Sequence, residues 1–298
     1  MRIGAGVSAA QGGNVKIRNP REFVRDIEGL PTLPNLYTRF RQKIYDPKSS
    51  ANDIAEIISA DQAIVSNILK IANSAFYGFS RRISSVTHAI VIIGFNGIHH
   101  IVLNTTVVKM FSGQTQGGFD LSRIWEHSLG TAAIAKYIAK KKEQKNFEEV
   151  FTAGLLHDIG KVIVFKYLPD EFRAVMERVR EENIPIKEAE AREVGVDHTE
   201  IGKCLLEEWK FPESLVRAAA YHDNPVLAKE KKTEVSIVHL ANVITRAFEI
   251  GSGGDDLISP CNEDAWNHLG FALEDLDDIA AHVDEALREC AVFKDLMG

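Results

Sequence analysis

GLLHDIGKVI, residues 154–163, places a histidine and an aspartate side by side in an otherwise apolar stretch. The surrounding residues predict one helix over 148–166 that ends before Pro169, because proline restricts the residue in front of it. Burying an isolated ionisable group is costly unless a partner compensates it. The pair His157–Asp158 therefore predicts a hydrogen-bond network, a counter-charge or a metal ion. Neighbouring side chains on one helix diverge by about 100°, so the pair would hold an ion from two directions.

Most of the chain after residue 18 has helical rather than strand periodicity. In residues 33–46, for example, apolar side chains recur at spacings of three and four. AIVIIGF (89–95) is ambiguous, because its β-branched residues fit either a buried strand or a helix that ends at Gly94. Its flanks favour the helix, and the sequence predicts an all-α fold. Further helices are predicted over residues 170–182, 198–209, 234–249 and 274–290.

The polar, glycine-rich stretch GQTQGGFD (113–120) is the predicted internal boundary. It separates an N-terminal helical lobe at 18–114 from a second helical lobe at 115–250. We expect a flexible leader at 1–17. A C-terminal segment of loop and helices, 251–298, is expected to pack on the second lobe.

Composition narrows the class of protein. The chain has 298 residues and a net charge of −7, which argues against nucleic acid as a partner. Its three cysteines are widely spaced and odd in number, as in proteins of a reducing compartment. We expect no apolar run of the roughly 20 residues that a membrane helix needs. These observations predict a cytoplasmic protein without a membrane partner.

The second lobe holds the polar residues that would accompany the His157–Asp158 pair. Each alone has an ordinary explanation as a hydrogen-bonded core group or a helix cap. Together they fall on different predicted helices, which is how helical bundles build metal sites. Imidazole and carboxylate ligands suit one or two divalent transition-metal ions, with Fe or Mn favoured and Zn or Ni also suitable. The candidate metal ligands are His127, His157, Asp158, His198, His222, Asp223 and Asn242.

Lys161 lies one turn beyond this pair. Two interpretations of it stay open. It meets phosphate charge at the site, or it is an ordinary lysine that faces solvent.

Several longer strings resemble one family. HDIGK, with His127 and a polar residue at 242, is similar to the HD superfamily of metal-dependent phosphohydrolases. The rest of the chain, over about residues 20–250, resembles the HDOD family, the HD-related output domain. The strings that carry this resemblance are LPTLPNLYTRF (30–40), IAEIISADQAIVSNILKIANSAFYG (54–78), ISSVTHAIVIIGFNGIHHIVL (83–103) and HTEIGKCLLEEWKFPESLVRAAAYH (198–222).

The resemblance implies an HD-type helical bundle in the second lobe and assigns roles to the candidate residues. His127, His157 and Asp158 would hold one ion, with residue 242 as its last ligand. Asp158, His198 and His222 would hold a second ion. Two positions depart from the catalytic relatives: Asn242 replaces an aspartate, and Asp223 stands where cyclic-dinucleotide enzymes have a second histidine, with no GYP after it.

The resemblance implies a bacterial signal-transduction module of the HDOD type, and these departures favour one that keeps a metal site and has little or no catalysis. The alternative is an active metal-dependent phosphohydrolase, such as a (cyclic di)nucleotide phosphodiesterase, in which Asp158 and Lys161 would be catalytic. A regulatory module would receive its input from a signalling protein partner or a small phosphorylated ligand. The acidic C-terminal helix would allow a homodimer.

NSAFYGFSRRI (73–83) is the remaining feature of note, since it places Phe76, Tyr77 and Phe79 beside two arginines. It is either a partner surface or a segment that packs on the second lobe. Packing is favoured, because buried aromatic side chains are the more common outcome.

Overall fold

A computed structural model describes residues 7–9, 15–30, 33–111, 115–116 and 119–295. Helices make up nearly all of the regular structure in these ranges, which confirms the all-α fold class. The helices before the predicted boundary are α1 (Pro20–Asp26), α2 (Asn35–Ile44), α3 (Ala51–Ser59), α4 (Gln62–Ala72) and α5 (Val86–Phe111). Those after it are α6 (Leu121–Lys141), α7 (Phe147–Leu156), α8 (Ile159–Tyr167), α9 (Pro169–Glu182), α10 (Ile186–Glu193), α11 (His198–Glu208), α12 (Glu213–Tyr221), α13 (Lys232–Ala247), α14 (Glu263–Leu269), α15 (Leu273–Ala281) and α16 (Val283–Lys294).

Four short strands form two antiparallel pairs. β1 (Val7–Ala9) pairs with β2 (Val15–Ile17), and β3 (Thr115–Gln116) pairs with β4 (Phe119–Asp120). Residues 1–6 and 10–14 of the predicted leader, and 112–114 and 117–118 around the predicted boundary, lie outside the described residues. At the end of β2, Ile17 is buried and its N–H donates to the carbonyl of Val194.

Side-chain caps explain where several helices begin. Asp61 accepts from the first N–H groups of α4, and Asp120 does the same for α6. Asp197 opens α11 in a capping box with Glu200. Each cap satisfies backbone donors that have no partner inside the helix.

α5 resolves the ambiguous stretch at 89–95. It is helical, as favoured, and its path is interrupted at Gly94, where φ is 85°. Glycine adopts this left-handed geometry without steric cost. Contrary to the sequence expectation, α5 is long and apolar enough to cross a membrane, but 56% of its most apolar window is buried inside the fold. A kinked helix in the core of the fold has the same length and apolar composition as a membrane helix.

The core is continuous from the first lobe into the second. One cluster of buried apolar side chains runs from α1 through α12 and reaches α16. A smaller cluster joins α6 and α13 to the C-terminal helices. α6 contributes to both clusters, as α7, α13 and α16 also do, so its site residue lies in the middle of the fold.

Two helix predictions differ from the structure, and one helix next to the site has no prediction to match it. The single helix expected over 148–166 is two helices, α7 and α8, with the break at His157 and Asp158. The helix expected over 274–290 is also two, α15 and α16, which meet at His282. α10 was not predicted, and it follows a left-handed Asn183 and Pro185. The lobe boundaries at 114/115 and 250/251 stay predictions.

Candidate metal centre

The His157–Asp158 pair occupies the junction between two helices. His157 is the last residue in helical geometry after α7, and Asp158 precedes α8 with φ −100° and ψ 14°. This change of backbone direction determines where the side chains of His157 and Asp158 point. The divergence of neighbouring side chains along one continuous helix does not. Both residues are buried, with exposed fractions of 0% and 1%.

Asp158 lies at the centre of the cluster. Its Oδ2 lies 3.3 Å from His157 Nε2 and 3.7 Å from His127 Nε2. Its Oδ1 lies 3.4 Å from His198 Nε2 and 3.5 Å from His222 Nε2. The candidate ligand atoms therefore form two groups that share one carboxylate. We call them the first triad (His127, His157, Asp158) and the second triad (Asp158, His198, His222).

Three further helices bring the other histidines to this carboxylate. His127 comes from the first third of α6, and His198 is the first residue of α11. His222 follows the last residue of α12. Helical bundles build metal sites in this way, from side chains that facing helices direct into the core.

Hydrogen bonds to Nδ1 orient three of these imidazoles. His157 Nδ1 lies 2.7 Å from the carbonyl oxygen of Gly154, and His222 Nδ1 lies 3.2 Å from that of Ala218. His198 Nδ1 lies 2.6 Å from a carboxylate oxygen of Glu190. A carbonyl or carboxylate accepts, so Nδ1 carries the proton and Nε2 presents a lone pair toward Asp158.

The inward-facing atoms have no hydrogen-bond partner within the described residues. They are buried, and their number is unusual for a folded protein, where buried polar atoms are nearly always paired. A divalent cation satisfies such a set of lone pairs, so the residues fit a metal ion. The unpartnered atoms are Nε2 of His127, His157, His198 and His222, and Oδ1 of Asp158 and Asn242.

Lys161 is buried, which rules out the solvent-facing interpretation. Its exposed fraction is 3%, and Nζ donates to Asp158 Oδ2 over 2.7 Å. In this position Lys161 balances the negative charge of the buried Asp158 carboxylate, and it does not reach toward a ligand in solvent.

The remaining two predicted ligands lie at different depths. The Asp223 side chain is 24% exposed, with carboxylate oxygens 3.4 Å from His222 Nε2 and 3.7 Å from His198 Nε2. Asn242 is buried on α13, a helix that packs against α6 and α7. The ligand role of all seven predicted residues stays a prediction.

Electrostatics keep the carboxylate charged and the first-triad imidazoles neutral. Burial alone would raise the pKa of Asp158, but the basic groups beside it, the His157 imidazole and the Lys161 ammonium, outweigh burial and hold that pKa well below its usual value. Burial lowers the pKa of both His127 and His157. For His198, burial lowers the pKa and the Glu190 carboxylate raises it, with a net increase.

Sequence reasoning missed two charged residues of α10 next to the cluster. Glu190 is fully buried behind His198. Lys187 Nζ lies 3.4 Å from a carboxylate oxygen of Asp223. Glu190 stands between Ala189 and Ala191, but most residues of α10 are charged and the helix itself was not predicted, so no clear signal in the sequence marked Glu190 as buried.

Three solved structures resemble this one. An HDOD domain protein of unknown function from Geobacter sulfurreducens shares 29% identity and a TM-score of 0.72, covering 90% of this chain and 96% of that one. A protein of Shewanella amazonensis SB2B named as a candidate phosphohydrolase shares 21% identity and a TM-score of 0.69, covering 92% and 96%. A protein of Marinobacter aquaeolei VT8 named as a candidate signal transduction protein shares 20% identity and a TM-score of 0.68, covering 90% and 59%.

Sequence comparison agrees with these structures. A curated uncharacterized protein of Treponema pallidum (strain Nichols) is 27% identical over 225 residues, and the chain spans 43% of its length. The family model for the HDOD domain matches residues 30–225. The chain therefore belongs to the HDOD domain family.

Proposed function

We propose that this protein is a signal-transduction regulatory module with a metal centre and little or no catalysis. The supporting observation is the burial of the centre. Asp158 and the four histidines around it have exposed fractions of 0–1%. Catalytic metal sites keep a position open for water or substrate, whereas structural sites are closed.

The metal would be held by the two triads, with Asp223 and Asn242 as outer ligands. Nitrogen and oxygen donors in this proportion suit Fe or Mn, and also Zn or Ni. A pair of such ions, when bound, lowers the pKa of a bridging water and stabilises phosphoester oxygens. Here Lys161 compensates the shared carboxylate, and Asn242 offers a neutral oxygen.

One observation favours the alternative, an active phosphohydrolase. Two ligand groups that share one carboxylate would hold two ions close together, and phosphatases and nucleases use such pairs of ions. In that function Asp158 and Lys161 would be the catalytic residues. The closed surroundings of Asp158 weigh against it.

Input to a regulatory module would come from a signalling protein or a small phosphorylated ligand. In the segment 73–83, Phe76 is buried against Phe151 and Phe293, as the packing interpretation predicts. Phe79 is 41% exposed, and Arg81 and Arg82 beside it are exposed. We propose this exposed part as the partner surface.

We further propose that the module acts in the cytoplasm and binds neither nucleic acid nor membranes. All three cysteines are free thiols, as a reducing compartment requires. The acidic helices α15 and α16 carry the proposed homodimer contact.

The test is a hydrolysis assay on protein reconstituted with Mn²⁺ or Fe²⁺ under reducing conditions. The substrates are a cyclic dinucleotide and a generic phosphodiester, and the control is Asp158→Ala, with its fold checked by circular dichroism. We expect a metal-loaded protein whose turnover does not exceed that of the control. Rapid turnover that Asp158→Ala abolishes would establish the phosphohydrolase instead.

A further inference from the structure

We propose that the two triads are unequal, that the second triad with Asp223 takes a single tightly bound ion, and that Glu190 is the positioning residue that prepares His198 for it. This inference rests on the proposed metal centre. Three independent features of the cluster support it.

The first feature is the asymmetry of the shared carboxylate. Oδ2 of Asp158, which faces the first triad, accepts a hydrogen bond from Lys161 Nζ at 2.7 Å. Oδ1, which faces the second triad, is buried without a hydrogen-bond partner among the described residues. An ion at the first triad competes with an ammonium group for its carboxylate oxygen. An ion at the second triad does not.

The second feature is the charge of the outer ligand. Asp223 reaches to within 3.4 Å of His222 Nε2 and adds a second carboxylate on this side. The corresponding ligand predicted for the first triad is Asn242, which carries no charge. Lys187 lies 3.4 Å from Asp223, but its side chain is 37% exposed, so solvent screens its charge. The second triad is therefore the more anionic of the two.

The third feature is the support behind each imidazole. One oxygen of Glu190 lies 2.6 Å from Nδ1 of His198 and accepts the backbone N–H of the same residue at 2.9 Å. Glu190 is fully buried, so its charge acts on this imidazole with little screening. A carboxylate behind a ligating histidine fixes the ring and makes Nε2 a stronger donor. In the first triad, His157 has a neutral carbonyl in this role, and His127 Nδ1 has no hydrogen-bond partner.

The test is a calorimetric titration of metal-free protein with Zn²⁺ alone. His127→Ala and His198→Ala form a matched pair, because each residue has an exposed fraction of 1% and belongs to one triad. We expect His198→Ala to remove the tight ion and His127→Ala to retain it. If either variant fails to fold by circular dichroism, His127→Gln and His198→Gln replace the pair.

Glu190→Gln tests the positioning role. It keeps an oxygen that accepts from His198 but removes the charge, and we expect Zn²⁺ affinity to fall about 10- to 100-fold. The metal-free variant should unfold at nearly the wild-type urea concentration, and the His198 Nδ1–H resonance should shift in the NMR spectrum. Lys161→Met should add a second ion at the first triad.

The outcomes separate this inference from the proposed function. Wild-type protein that binds no Zn²⁺ overturns both. Binding that is lost equally in His127→Ala and His198→Ala, or mainly in His127→Ala, overturns the inequality and leaves the metal centre intact. Unchanged affinity in Glu190→Gln, with lower stability of the metal-free protein, shows that Glu190 is structural only.

Discussion

Gly160 of α8 lies directly against the backbone of His198. A Cβ built on Gly160 would stand 2.0 Å from the His198 carbonyl oxygen and 2.9 Å from the nitrogen of Gly202. Only a residue without a side chain allows α8 and α11 to approach this closely. The approach explains how Asp158, two residues before Gly160, comes within 3.4 Å of His198 Nε2.

We expect Gly160→Ala to separate α8 from α11 and to weaken metal binding. The atoms that the new methyl meets are backbone atoms, so relief requires movement of a helix, and overpacking of this kind costs about 1–3 kcal/mol. Urea unfolding and a Zn²⁺ titration measure the two effects. Gly202→Ala is the control on the facing helix, because its Cβ would have no contact shorter than 3.4 Å. Equal behaviour of the two variants would show that the close approach does not set the site.

Asp158→Ala should destabilise the metal-free protein by about 3–5 kcal/mol, because it leaves the buried Lys161 ammonium without its carboxylate partner. Asp158→Ala/Lys161→Met removes both charges and should recover part of that loss. The measurement is the free energy of unfolding in urea, made after chelation so that metal loss does not contribute. A double variant no more stable than Asp158→Ala would mean that Lys161 finds another partner.

Lys136 joins three parts of the fold. From α6, its Nζ donates to the carbonyl of Phe76 at 2.8 Å and to Glu289 of α16 at 2.7 Å. Lys136→Met leaves the buried carbonyl unpaired and should cost about 1–3 kcal/mol. It should also speed hydrogen exchange in residues 73–83.

Lys140→Met is the matched control for this variant. Lys140 lies 3.8 Å from the same Glu289 carboxylate, but its side chain is 44% exposed. Substitution of a surface lysine changes stability by about 0.5 kcal/mol or less. If both methionine variants lose the same stability, the Phe76 carbonyl is not the contact that matters.

Acid should destabilise the metal-free protein partly through His99 and His100. Burial lowers their pKa values from 6.5 to about 3 and about 4. Below pH 6.5 these histidines bind protons in the unfolded chain but not in the folded chain. Their contribution to the free energy of unfolding is therefore complete above pH 6.5 and is lost as the pH falls toward 4. The slope approaches about 1.4 kcal/mol per pH unit for each histidine.

The pH prediction is checked with His99→Gln/His100→Gln. Urea unfolding between pH 7 and pH 4.5 should give a shallower loss of stability in the double variant than in the wild type. His127 and His157, whose pKa values are also lowered by burial, contribute equally to both proteins. If stability falls equally steeply with decreasing pH in both proteins, His99 and His100 are not the source of the acid sensitivity.

Periodicity and caps predicted much of the fold from the sequence. The helix through 89–95 and its interruption at Gly94 followed from its flanks, and the cap at Asp61 followed from its position before an apolar stripe. The sequence also indicated that His127, His157, Asp158, His198, His222 and Asp223 lie together, because they fall on, or at the ends of, four different predicted helices of one lobe. In the structure their side chains do lie around one carboxylate.

The features that the sequence did not predict depend on tertiary contacts. The stretch 148–166 has no proline, and neither Gly154 nor Gly160 adopts the left-handed geometry that would end a helix, so the break between α7 and α8 was missed. α10 is short and carries few apolar residues, so its Glu190 went unnoticed. Lys161 is buried because Asp158 accepts its hydrogen bond, and residue spacing alone does not report such a partner.

Anomalous scattering at the metal absorption edge, from crystals of reconstituted protein, tests the central claim most directly. We predict an anomalous peak within coordination distance of His198 Nε2, His222 Nε2 and an oxygen of Asp158. Crystals of reconstituted protein without any peak between these side chains, with the imidazoles hydrogen-bonded to water or to each other, would contradict the account.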